Sequence, residues 1–323
     1  MNGSLKFAIA VAAMVFSQQS TAESNDAMTA LLVQDVRLAT VAERMLAANS
    51  ALCRQHMPLT GLVLHSRDQY RASVAGDAFA NGRIAVGALV PGSAAAGQVA
   101  AGDAIVAIGD TRTDELVAEG DAPLRDAAFA LLAEQPDGVP VNLTLARDGV
   151  ERTFALEAPT GCRALVEIRS VSGLNARSDG RVIQINYGLA AEASDDELAV
   201  IFAHEMGHLV LEHRRRLSGA GVEKGFFGEF GRNQRLNRQV EVEADLVAAH
   251  LLANAGYDPT IAPRFWRSSL GRRAGGGLLR SSTYPSAEAR ARLIEREIAE
   301  YIGAGTAPTW PGHLLARRDL PFE

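Results

Sequence analysis

The chain has 323 residues, 47% hydrophobic and 22% charged, with a formal net charge of −6. This composition excludes a disordered chain, and the acidic balance gives no support to a nucleic-acid partner, which would favour a basic stripe. The length leaves room for two domains of ordinary size. Residues 1–22 have the features of a secretory signal. Lys6 supplies the positive charge, 7–16 is an apolar run too short to span a bilayer, and Ser20 and Ala22 are small residues at the cleavage positions. The expected mature protein is exported and, in a bacterium, periplasmic, with peripheral envelope contact.

Residues 26–54 read as one helix, with Leu31, Val33, Val36, Leu38, Val41, Met45, Leu46 and Leu52 at three- and four-residue steps. From there to Pro159 the texture changes to short β-like runs between Gly, Asp and Pro turns. GLVLHS, RIAVGALV, DAIVAIGD, VNLTLARDG and ERTFALEA are the runs, Asp148-Gly149 is a hairpin turn, and one short helix covers 124–134. Val90-Pro91-Gly92-Ser93-Ala94-Ala95 and Ala101-Gly102-Asp103-Ala104-Ile105 resemble the core of bacterial PDZ domains. The resemblance implies that residues 55–160 bind peptide C-termini or extended segments by strand addition. It departs from the usual pattern at Ala94-Ala95 and at Gly97-Gln98-Val99.

The two cysteines, Cys53 and Cys162, flank this insert. An even count in an exported chain favours a disulfide. It would close a loop of about a hundred residues, with a model stabilisation of about 4–5 kcal/mol.

Residues 161–323, with the helix in 23–54, form the second expected domain. ALVEIRSV and GRVIQINYG read as strands separated by 173–180. Ser194 and Glu197 form a capping box ahead of LAVIFAHEMGHLVL, residues 198–211. That stretch is apolar all round except for His204, Glu205 and His208, and buried groups of this kind are costly unless paired or metal-bound. His204 and His208, four apart, share a helix face and can share a metal, with Glu205 able to reach a water on it. This is the HExxH arrangement of zinc peptidases. The helix is read as ending after His213 in Arg214-Arg215-Arg216, followed by a Gly-rich loop, 219–231, with Phe226, Phe227 and Phe230. A second helix is expected over 237–254, with Glu241 and Asp245 on one face and Glu243 on the other as a solvated charge. His250 is read as structural, and His56, His65, His213 and His313 as bland. Gly-rich 271–277 would let the next segment move, and a helix is expected over 286–301.

His204-Glu205-Met206-Gly207-His208 followed by Glu241-Val242-Glu243-Ala244-Asp245 resembles the gluzincin metallopeptidases of the HtpX and CAAX-prenyl-protease group, nearest its soluble periplasmic BepA-like members. The resemblance implies an α+β fold: a mainly helical zincin-type domain with a small sheet, plus the inserted PDZ-like β domain. It implies one zinc ion per chain held by His204, His208 and Glu241, Glu205 as general base, and Asp245 orienting a ligand histidine. The family's His-Pro motif is replaced by Tyr284-Pro285, with Arg290 six residues on. This puts Tyr284 and Arg290 among the catalytic candidates, Tyr284 as an oxyanion donor or a cover over the metal. The implied substrates are unfolded or misassembled envelope proteins. A non-proteolytic or latent chaperone using the PDZ-like part stays open.

Overall fold

The structure is a computed structural model and describes residues 27–71, 78–222, 231–275, 285–303, 308–320 and 322. The expected signal at 1–22 lies outside the described residues. Helix α1 covers 27–48. Its Leu38, Val41, Ala42, Met45 and Leu46 are buried at the three- and four-residue spacing, whereas Val33 is 51% exposed. The helix stops earlier than expected because the Asn49 side chain bonds the Met45 carbonyl at 2.9 Å and the Leu251 carbonyl at 3.1 Å. A 3-10 turn, Ser50–Leu52, follows.

A narrow neck then leads into the β-rich unit. Strand β1 (His56–Pro58) pairs antiparallel with β8 (Thr160–Cys162), and Cys53 is bonded to Cys162 with Cα atoms 5.6 Å apart. Between them lie β2 (Leu62–Ser66), β3 (Ile84–Leu89), β4 (Ala104–Ile108), β5 (Thr111–Arg112), helix α2 (Leu124–Ala133), β6 (Val141–Arg147) and β7 (Val150–Leu156). The sheet order is β2-β3-β4-β6-β7, with β5 paired to β4. Asp148 and Gly149 both take positive φ, 52° and 77°, as a tight hairpin turn between β6 and β7 demands. The apolar face of this sheet and α2 close on a core of their own, including Ile84, Val86, Ile105, Ala128 and Leu143.

The rest of the chain builds a second core. Strands β9 (Leu165–Arg169), β10 (Ala176–Ser178) and β11 (Val182–Asn186) form a sheet in the order β10-β11-β9. The short β10 falls inside 173–180, the stretch read above as separating two strands. Three residues are too few to show alternation, and the strand forms because Asp179 accepts from Arg181 and Val182 and turns the chain back. Helices α3 (Tyr187–Glu192), α4 (Asp195–Val210), α5 (His213–Gly219), α6 (Gly231–Asn254), α7 (Ile261–Arg267), α8 (Ser269–Gly275), α9 (Ala287–Glu297) and α10 (Gly312–Leu315) complete it. Residues 269–275 are thus helical, so the expected hinge at 271–277 is not a loop over its described part. Tyr284, Phe226, Phe227 and Phe230 lie outside the described residues. Among the described residues, no helix is long and apolar enough to cross a membrane.

Helix α1 is wedged between the two cores. Asp35 accepts from the Ile168 backbone of β9 at 3.1 Å and faces His65 Nε2 of β2 at 3.2 Å. Glu43 lines a cavity of about 70 Å³ between α1, α2 and β2. Burial pushes its carboxyl up from 4.5 to about 7. Folding therefore favours its protonated form, so the stability linked to Glu43 is full below about pH 4.5 and lost as the pH rises through 7. We expect Glu43→Gln to raise stability at pH 8 by about 1–2 kcal/mol and to leave it unchanged at pH 4. Denaturant melts at the two pH values check this, and an equal shift at both would refute it.

Candidate metal centre

Helix α4 starts where the capping box places it. Ser194 Oγ accepts from the Glu197 backbone at 3.2 Å, and Glu197 accepts from the Ser194 backbone at 3.0 Å. Leu198, Ala199, Phe202, Ala203 and Met206 bury its apolar sides. The close approach of α6 depends on Gly207. A Cβ there would lie 2.9 Å from the Ala244 carbonyl oxygen and 2.8 Å from a Val247 methyl, so no larger residue fits without separating the two helices. That contact brings Glu241 across to the histidines.

His204 Nε2 lies 3.3 Å from His208 Nε2 and 3.3 Å from Glu241 Oε2, and His208 Nε2 lies 3.6 Å from Glu241 Oε1. A tetrahedral zinc with bonds of about 2.0–2.2 Å needs ligand atoms about 3.3–3.6 Å apart. The two nitrogens, and each nitrogen with its nearer Glu241 oxygen, match that spacing, and the three residues form a group that could hold a metal ion. Three protein ligands leave a fourth position for water or substrate, as in catalytic zinc sites. Both cysteines are in the disulfide and contribute nothing here.

The surrounding charges favour a cation. Burial works against a charge on His204, but its hydrogen bonds to Asp245 and Glu241 outweigh it and raise the pKa to about 10. Burial opposes ionisation of Glu241, yet the His204 hydrogen bond and the His208 charge hold it well below the usual carboxylate range. Burial, helped by His204 and His213, pushes His208 down to about 3. The carboxylates that would hold a proton on His204 would equally hold a metal.

Asp245 Oδ1 takes a hydrogen bond from His204 Nδ1 at 3.0 Å. Arg290 of α9 donates to both Asp245 oxygens, Nε at 2.5 Å and a terminal nitrogen at 2.7 Å. The Arg290 guanidinium also lies over the Trp266 ring, 3.4 Å from its centroid. Helix α9 presents Arg290 here because Ser286 caps it, accepting from the Ala289 backbone at 3.2 Å. Arg290 thus backs Asp245 and also lines the cleft. Glu205 is 7% exposed, beside the ligands and near enough to Arg290 for their charges to interact.

The centre opens into a cleft of about 760 Å³. One wall is β10, which among the described residues pairs only with β11 and is the edge strand of its sheet. Leu189, Val200, Phe265 and Trp266 add apolar lining.

Two expectations need correction. Glu243 is not a solvated charge: it is 1% exposed and accepts from Gln239, Arg216 and Arg317 at 2.8, 2.6 and 3.0 Å. The half-turn offset that separates it from Glu241 turns it towards α5 and the C-terminal segment instead of water. His213 is not bland either, for its Nδ1 lies 2.9 Å from His208 Nδ1. On an unbroken helix the two rings would point about 140° apart. The helix instead breaks at Glu212, which takes a left-handed conformation with φ of 52°, and α5 restarts with His213 turned back. A glycine inside an apolar helix was the available signal for Gly207; nothing comparable pointed to His213 or Glu243.

Residues 164–230 match the profile of peptidase family M48. The match covers the small sheet and the HExxH helix and stops short of Glu241, Asp245 and Arg290, which the fold brings in. Two curated relatives are both mitochondrial metalloendopeptidases OMA1. That of Arabidopsis thaliana is 31% identical over 137 residues, covering 36% of this chain and 27% of the relative. That of Schizosaccharomyces pombe is 29% identical over 126 residues, covering 33% of this chain and 37% of the relative. The chain thus spans about a third of the length of these relatives. No solved structure matches. The metallopeptidase match and the His–His–Glu group agree on zinc as the metal.

Proposed function

We propose that this chain is a zinc-dependent metalloendopeptidase of the envelope that cuts unfolded or misassembled proteins. The observation that carries the reading is the convergence of His204, His208 and Glu241 at tetrahedral spacing, beside Glu205, in a cleft walled by β10, an edge strand among the described residues. Zinc bound there would polarise the scissile carbonyl and lower the pKa of the attacking water to about 7. Glu205 would take a proton from the attacking water and return it to the leaving amine, as general base and then acid. An extended substrate adds to the open edge of β10, and main-chain pairing of this kind is tolerant of sequence. Tolerance suits unfolded substrates, which offer extended segments of many compositions.

The β-rich unit, residues 55–160, is proposed to be PDZ-like and to gate the cleft. Support comes from a chain of hydrogen bonds running from β10 into α2. Arg177 donates to Gln184 at 2.5 Å, Gln184 donates to Glu167, and Arg125 of α2 donates to the other Glu167 oxygen. The Arg125 and Glu167 side chains are 7% and 6% exposed. The open side of β2 faces α1, with about 70 Å³ of space left. A peptide docking there would have to displace α1, which favours gating over simple capture.

The test is digestion of casein by the purified, zinc-loaded protein, before and after stripping with phenanthroline. We expect cleavage that stops on stripping and returns with added zinc. Zinc binding without cleavage would shift the reading to a latent or non-proteolytic peptide binder.

A further inference from the structure

The residues around His208 allow a complete count of protons. Glu243 is enclosed by donors: Arg216 and His213 on one oxygen, Gln239 and Arg317 on the other. Four donors and no acceptor make it a carboxylate that only accepts. His213 Nε2, 3.2 Å away, must therefore carry its hydrogen and donate it. A neutral imidazole has one donor and one acceptor nitrogen, so His213 Nδ1 is left as an acceptor. It lies 2.9 Å from His208 Nδ1, which must then carry the hydrogen of that ring. His208 Nε2 is left with a free lone pair, and this is the atom 3.3 Å from His204 Nε2 and 3.6 Å from Glu241. The opposite assignment would set two acceptors against each other at His213 and Glu243, and aim an N–H at the metal position.

We infer that His213 is a positioning residue that holds metal ligand His208 in its Nδ1–H tautomer, with Glu243 setting His213 in turn. The inference rests on the metal-centre reading above. It gives the two ligand histidines matched supports of different build. His204 is held by a carboxylate directly, through Asp245, and His208 by a carboxylate acting through a second imidazole. Each carboxylate is neutralised from behind, Asp245 by Arg290 and Glu243 by Arg216 and Arg317. With His208 Nε2 turned to the metal position, a hydrogen on both nitrogens of His213 would set two donors against each other across the 2.9 Å contact, so His213 Nδ1 is bare. The break at Glu212 then has a use, because without it His213 would face away from His208.

The experiment uses the full chain with two substitutions, His213→Leu and His213→Asn. Leucine keeps roughly the volume and removes the acceptor, whereas the asparagine oxygen can take the place of Nδ1. Zinc affinity is read by competition with a chromogenic chelator. The tautomer of His208 is read from the imidazole ¹⁵N spectrum of the stripped protein. We expect His213→Leu to weaken zinc binding about 10–100-fold, and His213→Asn to restore it to within about threefold of wild type. We expect the wild-type spectrum to show hydrogen on His208 Nδ1 and none on Nε2, and that of His213→Leu to show a mixture. Unchanged zinc affinity in His213→Leu, or hydrogen on Nε2 of His208 in the wild type, would overturn the inference. Should His213→Leu fail to fold, the wild-type spectrum still decides. A wild-type protein that binds no zinc would sink the metal-centre reading itself, and the His208 tautomer would remain measurable.

Discussion

Glu205→Gln is expected to lower kcat on casein or a reporter peptide by about 10²–10⁴-fold, with KM and zinc affinity close to wild type. Glutamine keeps the size and polarity of the side chain and loses the ability to take a proton. The three metal-facing atoms belong to His204, His208 and Glu241, so the substitution leaves the ligand set whole. The β10 edge proposed to take substrate is also untouched, which is why KM should hold. Glu205 is 7% exposed and near Arg290, so the variant also loses an attraction in the core. Circular dichroism and a melting curve separate that cost from the loss of chemistry. A variant retaining more than about a tenth of wild-type kcat would remove Glu205 as the base, since general-base catalysis contributes at least about a hundredfold.

Arg290→Ala should destabilise the fold by about 3–5 kcal/mol, the usual result of leaving one member of a buried ion pair alone. The side chains of Arg290 and Asp245 are 6% and 2% exposed and joined by two hydrogen bonds. Truncation would strand the Asp245 carboxylate and empty the space against Trp266. Arg290→Lys should recover only part of the loss, because an ammonium cannot make the two-pronged contact or stack as a guanidinium does. The double substitution Arg290→Met with Asp245→Asn should be more stable than Arg290→Ala, since no buried charge is left unpaired. Its zinc affinity should stay low, because His204 loses its carboxylate. Urea melts of the four proteins, with zinc titrations beside them, check both statements. A loss below about 1 kcal/mol for Arg290→Ala would show that water reaches Asp245 and that the pair is not buried in solution.

Much of the centre is written locally. His204, Glu205 and His208 are set by helical spacing within one turn, and Glu241 and Asp245 by the same spacing on another helix. The capping boundary at Ser194, the Asp148-Gly149 turn and the alternating texture of the β-rich unit are likewise short-range features, controlled by backbone sterics and nearby hydrogen bonds. Such features survive in the sequence because each depends on a few adjacent residues. The position of Cys53 and Cys162 on either side of the insert is legible in the same way.

The other part depends on what packs against what. Glu243 has the spacing of a solvent-facing residue, and only the arrival of Arg216, Arg317 and His213 from separate elements makes its site dry. His213 becomes a support for His208 through a break at Glu212 that has no glycine or proline to announce it. Arg290 lies 45 residues from Asp245, and nothing in the spacing of the chain says whether it faces substrate or a carboxylate. The ladder from Arg177 to Arg125 crosses three strands and a helix. The amino-acid sequence by itself determined the histidine pair, the glutamate between them and the local elements, because these rest on chemistry within a turn or two of chain. Tertiary structure alone decided which charges are buried, which histidine supports which, and how the β-rich unit is joined to the strand that walls the cleft, because burial and long-range pairing belong to the assembled core.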